Sequence, residues 1–339
     1  MNAPATKLTI KDFETDQEVR WCPGCGDYAI LKAVQKLMPE LGVPKENIVF
    51  ISGIGCSSRF PYYMETYGFH TIHGRAPALA TGAKLANPEL DIWVITGDGD
   101  GLSIGGNHMM HVLRRNVDLQ ILLFNNEIYG LTKGQYSPTS EVGTRSPSTP
   151  DGSVDRPLSP CQFALGSGAR FVARSIDTEM KHLTEVLTHA HDHRGASFVE
   201  ILQNCPVYND GIFEHIKNKK SAAETRLVLA HGQPLRFGKE NDKGIRLNAA
   251  ELKLEVVTLG EDGVTEDDLL IHDETNKVMA QMLADLHAPD FPTPVGVLYN
   301  APAPAYVSGV YDQRIVAREK KGKPDLNALL RTGQTWTVE

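Results

Sequence analysis

Five short, nearly continuous apolar runs punctuate the first two thirds of the chain, at residues 48–54, 92–96, 119–124, 171–175 and 197–202. Runs of this length without alternation belong to strands buried on both faces, as in a parallel sheet. Between them lie stretches with helical spacing at 27–38, 76–86, 102–116 and 178–193. The first sets Ile30, Leu31, Val34, Leu37 and Met38 on one face, with Asp27 placed as an N-cap. The second is rich in small residues (Ala76, Ala78, Ala80, Gly82, Ala83, Ala86) and can pack closely, with Pro88 after its end. Alternation of this kind predicts an α/β fold, a doubly wound parallel sheet. Past Asp210 the pattern changes to short strands across 224–259, an amphipathic helical piece within 264–288 and an irregular, Pro-rich stretch at 300–310. The expectation is one α/β domain over 1–210 and a C-terminal extension over 211–339 that packs against a partner. Residues 134–160 are dense in Ser, Thr, Pro and Gly. So long an unstructured stretch inside a compact domain reads as an active-site or subunit-contact loop rather than a linker.

Composition narrows the function. With 339 residues, 41% hydrophobic, 22% charged and a net charge of −8, the chain is an ordinary globular protein without the basic footprint of a nucleic-acid binder. No run reaches the roughly 18 apolar residues of a membrane span. Met1–Lys7 lacks the apolar core of a secretory signal. Five cysteines in a long chain fit a reducing compartment better than a disulfide framework. The expected location is the cytoplasm.

Four of those cysteines sit in distinctive surroundings: Trp21-Cys22-Pro23-Gly24-Cys25-Gly26, Gly53-Ile54-Gly55-Cys56-Ser57-Ser58 and Cys205-Pro206. A thioredoxin-type dithiol would follow a strand, but residues 11–20 are polar, and the Pro and Gly stand in the opposite order. Zinc commonly draws on two close pairs, whereas Cys56 and Cys205 are single and distant. The spacing alone leaves both an iron–sulfur cluster and a structural zinc open. Cys161, in the Ser/Pro-rich loop, reads as a free cysteine outside the site.

Gly97-Asp98-Gly99-Asp100-Gly101 follows one apolar run, and Asn125-Asn126 follows the next. A lone Gly-Asp-Gly is usually a turn. Joined to the Asn pair it is the thiamine diphosphate signature. Gly97 and Gly99 let backbone N–H groups approach a diphosphate, and the helix expected from Leu102 offers its N-terminus. Asp98, Asn126 and the Ile128 carbonyl can supply oxygen ligands to Mg2+. Both motifs lie after strand ends, where open α/β sheets bind ligands. His73, before Gly74 and the small-residue helix, is placed to meet the diphosphate. The pairs His108/His111 and His189/His193 read as surface or packing residues.

Taken together, WCPGCGDYAIL, SGIGCSSR, HGRAPALATGAKLANP, GDGD with NN, YGLTKGQYSPTS and LQNCPVYND resemble the β subunit of 2-oxoacid:ferredoxin oxidoreductases, across about residues 18–210. The resemblance implies a [4Fe-4S] cluster on Cys22, Cys25, Cys56 and Cys205, with Ser57, Ser58, His73, Asp100, Gly130, Leu131 and Thr132 around the cofactors. It implies oxidative decarboxylation of a 2-oxo acid on thiamine diphosphate, electrons leaving through the cluster to ferredoxin, and coenzyme A taking the acyl group. It also implies an α subunit that supplies the carboxylate for the aminopyrimidine ring, and a dimerised αβ assembly. Arg59 and Lys133 stand beside the site motifs and can salt-bridge a substrate carboxylate. Two cations suit a dicarboxylate, and YGLTKGQYSPTS looks like the 2-oxoglutarate type.

Overall fold

The computed structural model describes residues 8–338, so the expectation for Met1–Lys7 lies outside the described residues. Helix α1 (Asp27–Leu41) leads to β1 (Ile48–Ser52) and β2 (Tyr67–His70). Then α2 (Ala76–Ala86) leads to β3 (Asp91–Gly97), and α3 (Asp98–Leu102) with α4 (Gly106–Arg115) to β4 (Leu119–Asn125). A small hairpin of β5 (Ile128–Tyr129) and β6 (Gln135–Tyr136) opens the long loop. After it come α5 (Pro160–Gly166), β7 (Phe171–Ile176), α6 (Met180–Asp192) and β8 (Ala196–Leu202). The last third holds α7 (Glu214–Lys217), α8 (Ala222–Thr225), β9 (Arg226–Val228), β10 (Arg236–Phe237), β11 (Lys243–Asn248), β12 (Lys253–Thr258), α9 (Lys277–Ala284), β13 (Thr293–Asn300), α10 (Tyr306–Lys321) and α11 (Leu326–Leu330).

The main sheet runs β2-β1-β3-β4-β8-β7-β13-β9. Its first six strands are mutually parallel, and β13 is antiparallel to β7. Alternation within each strand sends side chains to two cores. Val49, Ile51, Ile92 and Val94 face a cluster with Ala80, Met109 and Leu165 from α2, α4 and α5. Phe50, Trp93 and Ile95 face the other, with Ile30, Val34 and Leu187 from α1 and α6. Helices on both faces explain why β1, β3 and β4 read as continuous apolar runs. Each large side chain so buried contributes roughly 1.5–3 kcal/mol.

The structure corrects four sequence expectations. Strand β2 escaped the hydrophobicity pattern because, as an edge strand, it buries none of its residues. The helix expected over 102–116 is two: α3 starts at Asp98 itself, and the chain turns at Ser103–Gly105 before α4. Gly26, not Asp27, caps α1, and Asp27 is buried in its first turn. Residues beyond 210 also do more than extend the domain, since β13 and β9 complete the main sheet. Of the strands past residue 210, β10–β12 form a separate antiparallel sheet, within the region 224–259 where short strands are expected.

Register sets the site. Ser52 pairs with Ile95, Gly97 with Phe124 and Asn125 with Leu202. The segments after β1, β3, β4 and β8 therefore leave the sheet side by side at its carboxyl edge. They carry Gly53–Ser58, Asp98–Gly101, Asn126–Gly130 and Gln203–Cys205. No helix among the described residues is long and apolar enough to cross a membrane.

Candidate active site

A cavity of about 510 Å³ opens at that edge, with Cys56, Ser57, His73, Gly97, Asp98, Gly99, Asp100, Asn126, Ile128, Gly130, Leu131 and Thr132 in its wall. The adjacent strands thus bring together residues as far apart in sequence as Ile54 and Gln203. Ile54, Gly55, Phe124, Tyr129, Gln135 and Gln203 line it as well. All but Phe124 fall inside the motifs quoted above, but nothing in their residue type marks them individually as lining residues.

Asp98 is 2% exposed. One carboxylate oxygen, Oδ2, accepts the Thr139 hydroxyl at 2.7 Å, and burial pushes the carboxyl up to about 6. A buried carboxylate with no cation beside it is costly, and a bound cation would relieve that cost. Asn126, on the next strand end, is 8% exposed, and its Oδ1 accepts the Ile128 N–H at 3.2 Å. A carboxylate, an amide oxygen and a nearby carbonyl form the hard-oxygen donor set that Mg2+ takes. The residues present fit that ion and a diphosphate. Gly99 is required by its neighbour: a Cβ there would stand 2.2 Å from the Tyr129 ring, whose hydroxyl donates to the Gly99 carbonyl at 3.0 Å.

Asp100 is committed to the frame. Its Oδ1 accepts the N–H groups of Ile54 (3.0 Å) and Gly74 (2.7 Å) and pairs with His73 Nδ1 (2.7 Å). Its Oδ2 accepts the Thr96 hydroxyl at 2.6 Å. With its carboxylate thus occupied, Asp100 ties the loops after β1 and β3 together and orients His73 toward the cavity.

The cysteine loops close on the other side. A Cβ on Gly130 would stand 3.5 Å from the Cys56 sulfur and 3.6 Å from that of Cys205. The Trp21 indole, just before Cys22, donates to the Cys56 carbonyl at 2.7 Å, and the Gly26 N–H donates to Asn204 O at 3.2 Å. Asn209, paired across its turn with Cys205, donates to the Asn126 carbonyl at 2.9 Å. Burial, the Asp27 carboxylate and the neighbouring Cys205 and Cys22 push the Cys56 thiol up to about 12. Burial first, then Asp27 and Cys56, raises Cys25 as well. The three loops therefore converge, although no three His, Cys, Asp or Glu among the described residues gather tightly enough for a single metal ion. Cys161 is elsewhere: it is fully buried in α5, donating to Glu200 Oε2 at 3.2 Å.

Beneath the cysteine loops lies a polar group that no sequence pattern announced. Burial pushes Asp27 up to about 7, with Asp177 adding to the effect. A Cβ on Gly26 would collide with Asp177 and Gln203, so only glycine lets the loop approach them. Lys217 pairs with Asp177 at 2.6 Å.

Besides Cys22, Cys25 and Cys205, three further expected residues lie off the cavity wall. Ser58 is fully buried behind it, its carbonyl accepting the Ser52 hydroxyl at 2.7 Å. Arg59 is carried by the 3-10 turn after Cys56 onto Tyr62 and Tyr63, with Nε donating to the Tyr63 hydroxyl at 2.9 Å. Lys133 is exposed in a left-handed backbone conformation (φ 78°) next to Thr132 but outside the wall. No glutamate among the described residues lines the cavity.

Residues 53–201 match the family model of the thiamine pyrophosphate enzyme C-terminal TPP-binding domain. The chain is 51% identical to 2-oxoglutarate oxidoreductase subunit KorB of Mycobacterium tuberculosis, over 97% of its own length and 88% of the relative's. It is 46% identical to 2-oxoacid:ferredoxin oxidoreductase subunit beta of Saccharolobus solfataricus, over 56% of this chain and 63% of that one. A solved structure of 2-oxoglutarate:ferredoxin oxidoreductase from Magnetococcus marinus, with 2-oxoglutarate, coenzyme A and succinyl-CoA bound, superposes with a TM-score of 0.76 at 33% identity, covering 97% of each chain.

Proposed function

The chain belongs to the β subunits of the 2-oxoacid:ferredoxin oxidoreductases, and we propose that it holds thiamine diphosphate, Mg2+ and a [4Fe-4S] cluster for the coenzyme A-dependent oxidation of 2-oxoglutarate. The observation that carries this reading is Gly130, which lies in the wall of the Asp98/Asn126 cavity while its Cα faces the sulfurs of Cys56 and Cys205. The thiamine and cysteine sites thus share one wall, as electron transfer between their cofactors requires. When bound, thiamine diphosphate supplies the carbanion-stabilising chemistry and the cluster the one-electron steps.

The chain's own residues do the holding. Asp98, Asn126 and the Ile128 carbonyl bind Mg2+, and the backbone around Gly97 and Gly99 meets the diphosphate. His73, fixed by Asp100, presents a ring nitrogen to the same region. Cys22, Cys25, Cys56 and Cys205 bind the cluster. The match to β subunits of 2-oxoacid:ferredoxin oxidoreductases supports a cluster rather than a structural zinc. The match to relatives named for 2-oxoglutarate supports the dicarboxylate as substrate and coenzyme A as acyl acceptor, with Lys133 at the cavity mouth as the cation for its distal carboxylate. Residues 1–210 carry both cofactor sites, and 211–339 contribute sheet-edge strands and subunit contacts. The enzyme works in the cytoplasm as a dimerised αβ assembly with ferredoxin as electron acceptor.

The cavity wall holds carboxylates from Asp98 and Asp100 but no glutamate for the aminopyrimidine ring, so the α partner supplies it. The isolated chain is expected to be inactive with 2-oxoglutarate and coenzyme A, and addition of its α partner to restore viologen or ferredoxin reduction. Robust turnover by the chain alone would overturn this division of the site.

A further inference from the structure

The long Ser/Pro-rich loop does not lie loosely over the site. Ser137, Thr139 and Ser140 are each at most 4% exposed, far more buried than a solvated loop would be. Thr139 donates its hydroxyl to Asp98 Oδ2 at 2.7 Å and lies 3.0 Å from Asn125 Oδ1. Ser140 donates to the Glu127 carbonyl, between Asn126 and Ile128, and accepts the Ser137 N–H at 2.8 Å. One short segment thus grips Asp98 after β3 and the Asn126–Ile128 turn after β4.

The anchor behind this grip is also fixed. Asn125 donates its amide to Glu200 Oε1 at 2.8 Å and accepts the Glu127 N–H at 3.2 Å. Glu200, 1% exposed, is held in turn by Arg174 Nε at 2.7 Å. Because Glu200 can only accept when ionised, the Asn125 amide is oriented, and its Oδ1 must face Thr139. The Thr139 hydroxyl has a single proton, and the ionised Asp98 is its stronger acceptor.

We propose that Thr139 is a positioning residue for the Mg2+ site, and that Ser137-Pro138-Thr139-Ser140 is a clamp setting the separation of the Asp98 carboxylate from the Ile128 carbonyl. This deepens the reading of Asp98 as a magnesium ligand and rests on it. By engaging Oδ2, alongside the Ser137 hydroxyl and the backbone N–H groups of Asp98 and Gly99, Thr139 stops the carboxylate from rotating away from the cation. Mg2+ demands near-octahedral ligands at about 2.0–2.1 Å, whereas Ca2+ accepts looser geometry at about 2.3–2.6 Å. A loosened clamp therefore costs Mg2+ more than Ca2+.

The test is titration calorimetry of the assembled αβ complex at saturating thiamine diphosphate, with Mg2+ and separately with Ca2+. Thr139→Val removes the hydroxyl at nearly constant shape, Thr139→Ser restores it, and Ser140→Ala releases the other grip. Iron content and the circular dichroism spectrum check that each variant folds. In Thr139→Val the Mg2+ Kd is expected to rise by about one to two powers of ten, the worth of one charge-assisted hydrogen bond, while the Ca2+ Kd rises less. Thr139→Ser should stay close to wild type, and Ser140→Ala should narrow the Mg2+/Ca2+ preference in the same sense. An unchanged preference in Thr139→Val, whether both affinities hold or both fall equally, overturns the clamp. Asp98→Asn separates the two claims: if it leaves Mg2+ binding intact, the ligand assignment itself fails. If it weakens Mg2+ while Thr139→Val does not, only the clamp fails.

Discussion

Replacing Asp98 with Asn should make the cofactor-free protein more stable while destroying its cofactor affinity. Asp98 is 2% exposed, and burial pushes its carboxyl from 3.8 up to about 6. At 1.36 kcal/mol per pH unit, holding that carboxylate ionised at pH 7 costs the cation-free fold about 3 kcal/mol at most. An isosteric Asn carries no charge, and its Oδ1 can still accept the Thr139 hydroxyl. For a chain of this length, an unfolding entropy of about 0.7 kcal/mol per kelvin turns that gain into about 4 °C of Tm at pH 7.

The sign reverses the usual carboxylate case. Because the folded-state pKa is raised, the cost is absent below the unfolded value near 4 and complete only above about 6. The gain in the Asn variant should therefore vanish in scans near pH 4. With thiamine diphosphate and Mg2+ the order reverses, because the variant lacks the charged ligand. Removing groups behind a metal ligand costs about 10- to 100-fold in affinity, so loss of the ligand itself should cost at least about 100-fold. Differential scanning calorimetry at the two pH values, with and without cofactor, reads both effects. An Asn variant less stable at pH 7 without cofactor, or one binding the cofactor within a few-fold of wild type, would refute the reasoning.

Serine replacement of Cys22, Cys25, Cys56 or Cys205 should each lower iron content and the EPR signal of the reduced complex, whereas Cys161→Ala should leave both intact. Full iron in Cys205→Ser would break the ligand assignment. Lys133→Met should cut kcat/KM for 2-oxoglutarate by about one to two powers of ten, the loss of a charged hydrogen bond, and for pyruvate by less. Arg59→Met should leave that ratio unchanged, because its guanidinium packs on Tyr62 and Tyr63. A shifted ratio in the Arg59 variant, or none in the Lys133 variant, would reverse these roles.

The parts of the fold that show in the sequence are those whose burial is local. Strands β1, β3, β4, β7 and β8 are covered on both faces, and each shows as an apolar run. The edge strand β2 buries nothing, and hydrophobicity cannot see it. Strand β13 is a buried run, but it follows a change of pattern at Asp210 and so reads as part of an extension. It joins the sheet only through pairing with β7, more than 100 residues earlier. The site divides in the same way. Asp98 and Asn126 carry a recognisable spacing, and so do the cysteines. Thr139 meets Asp98 across 41 positions and Gln203 lies beside Gly26 across the fold, and no spacing encodes either contact. Arg59 shows the converse limit: adjacency to Cys56 in sequence does not encode that the 3-10 turn lays its side chain on Tyr62 and Tyr63.

If one chain holds a redox cluster against a thiamine site, its visible spectrum must answer to substrate. This can be read on the anaerobically purified αβ complex before and after addition of 2-oxoglutarate and coenzyme A, with iron and zinc measured on the same sample and Cys56→Ser as the control. A broad brown absorbance that bleaches when both substrates are present is expected, with a loss of iron and of that response in Cys56→Ser. A colourless complex with stoichiometric zinc, or a brown one whose substrate response and iron survive Cys56→Ser, would show that the cysteines do not hold a redox cluster.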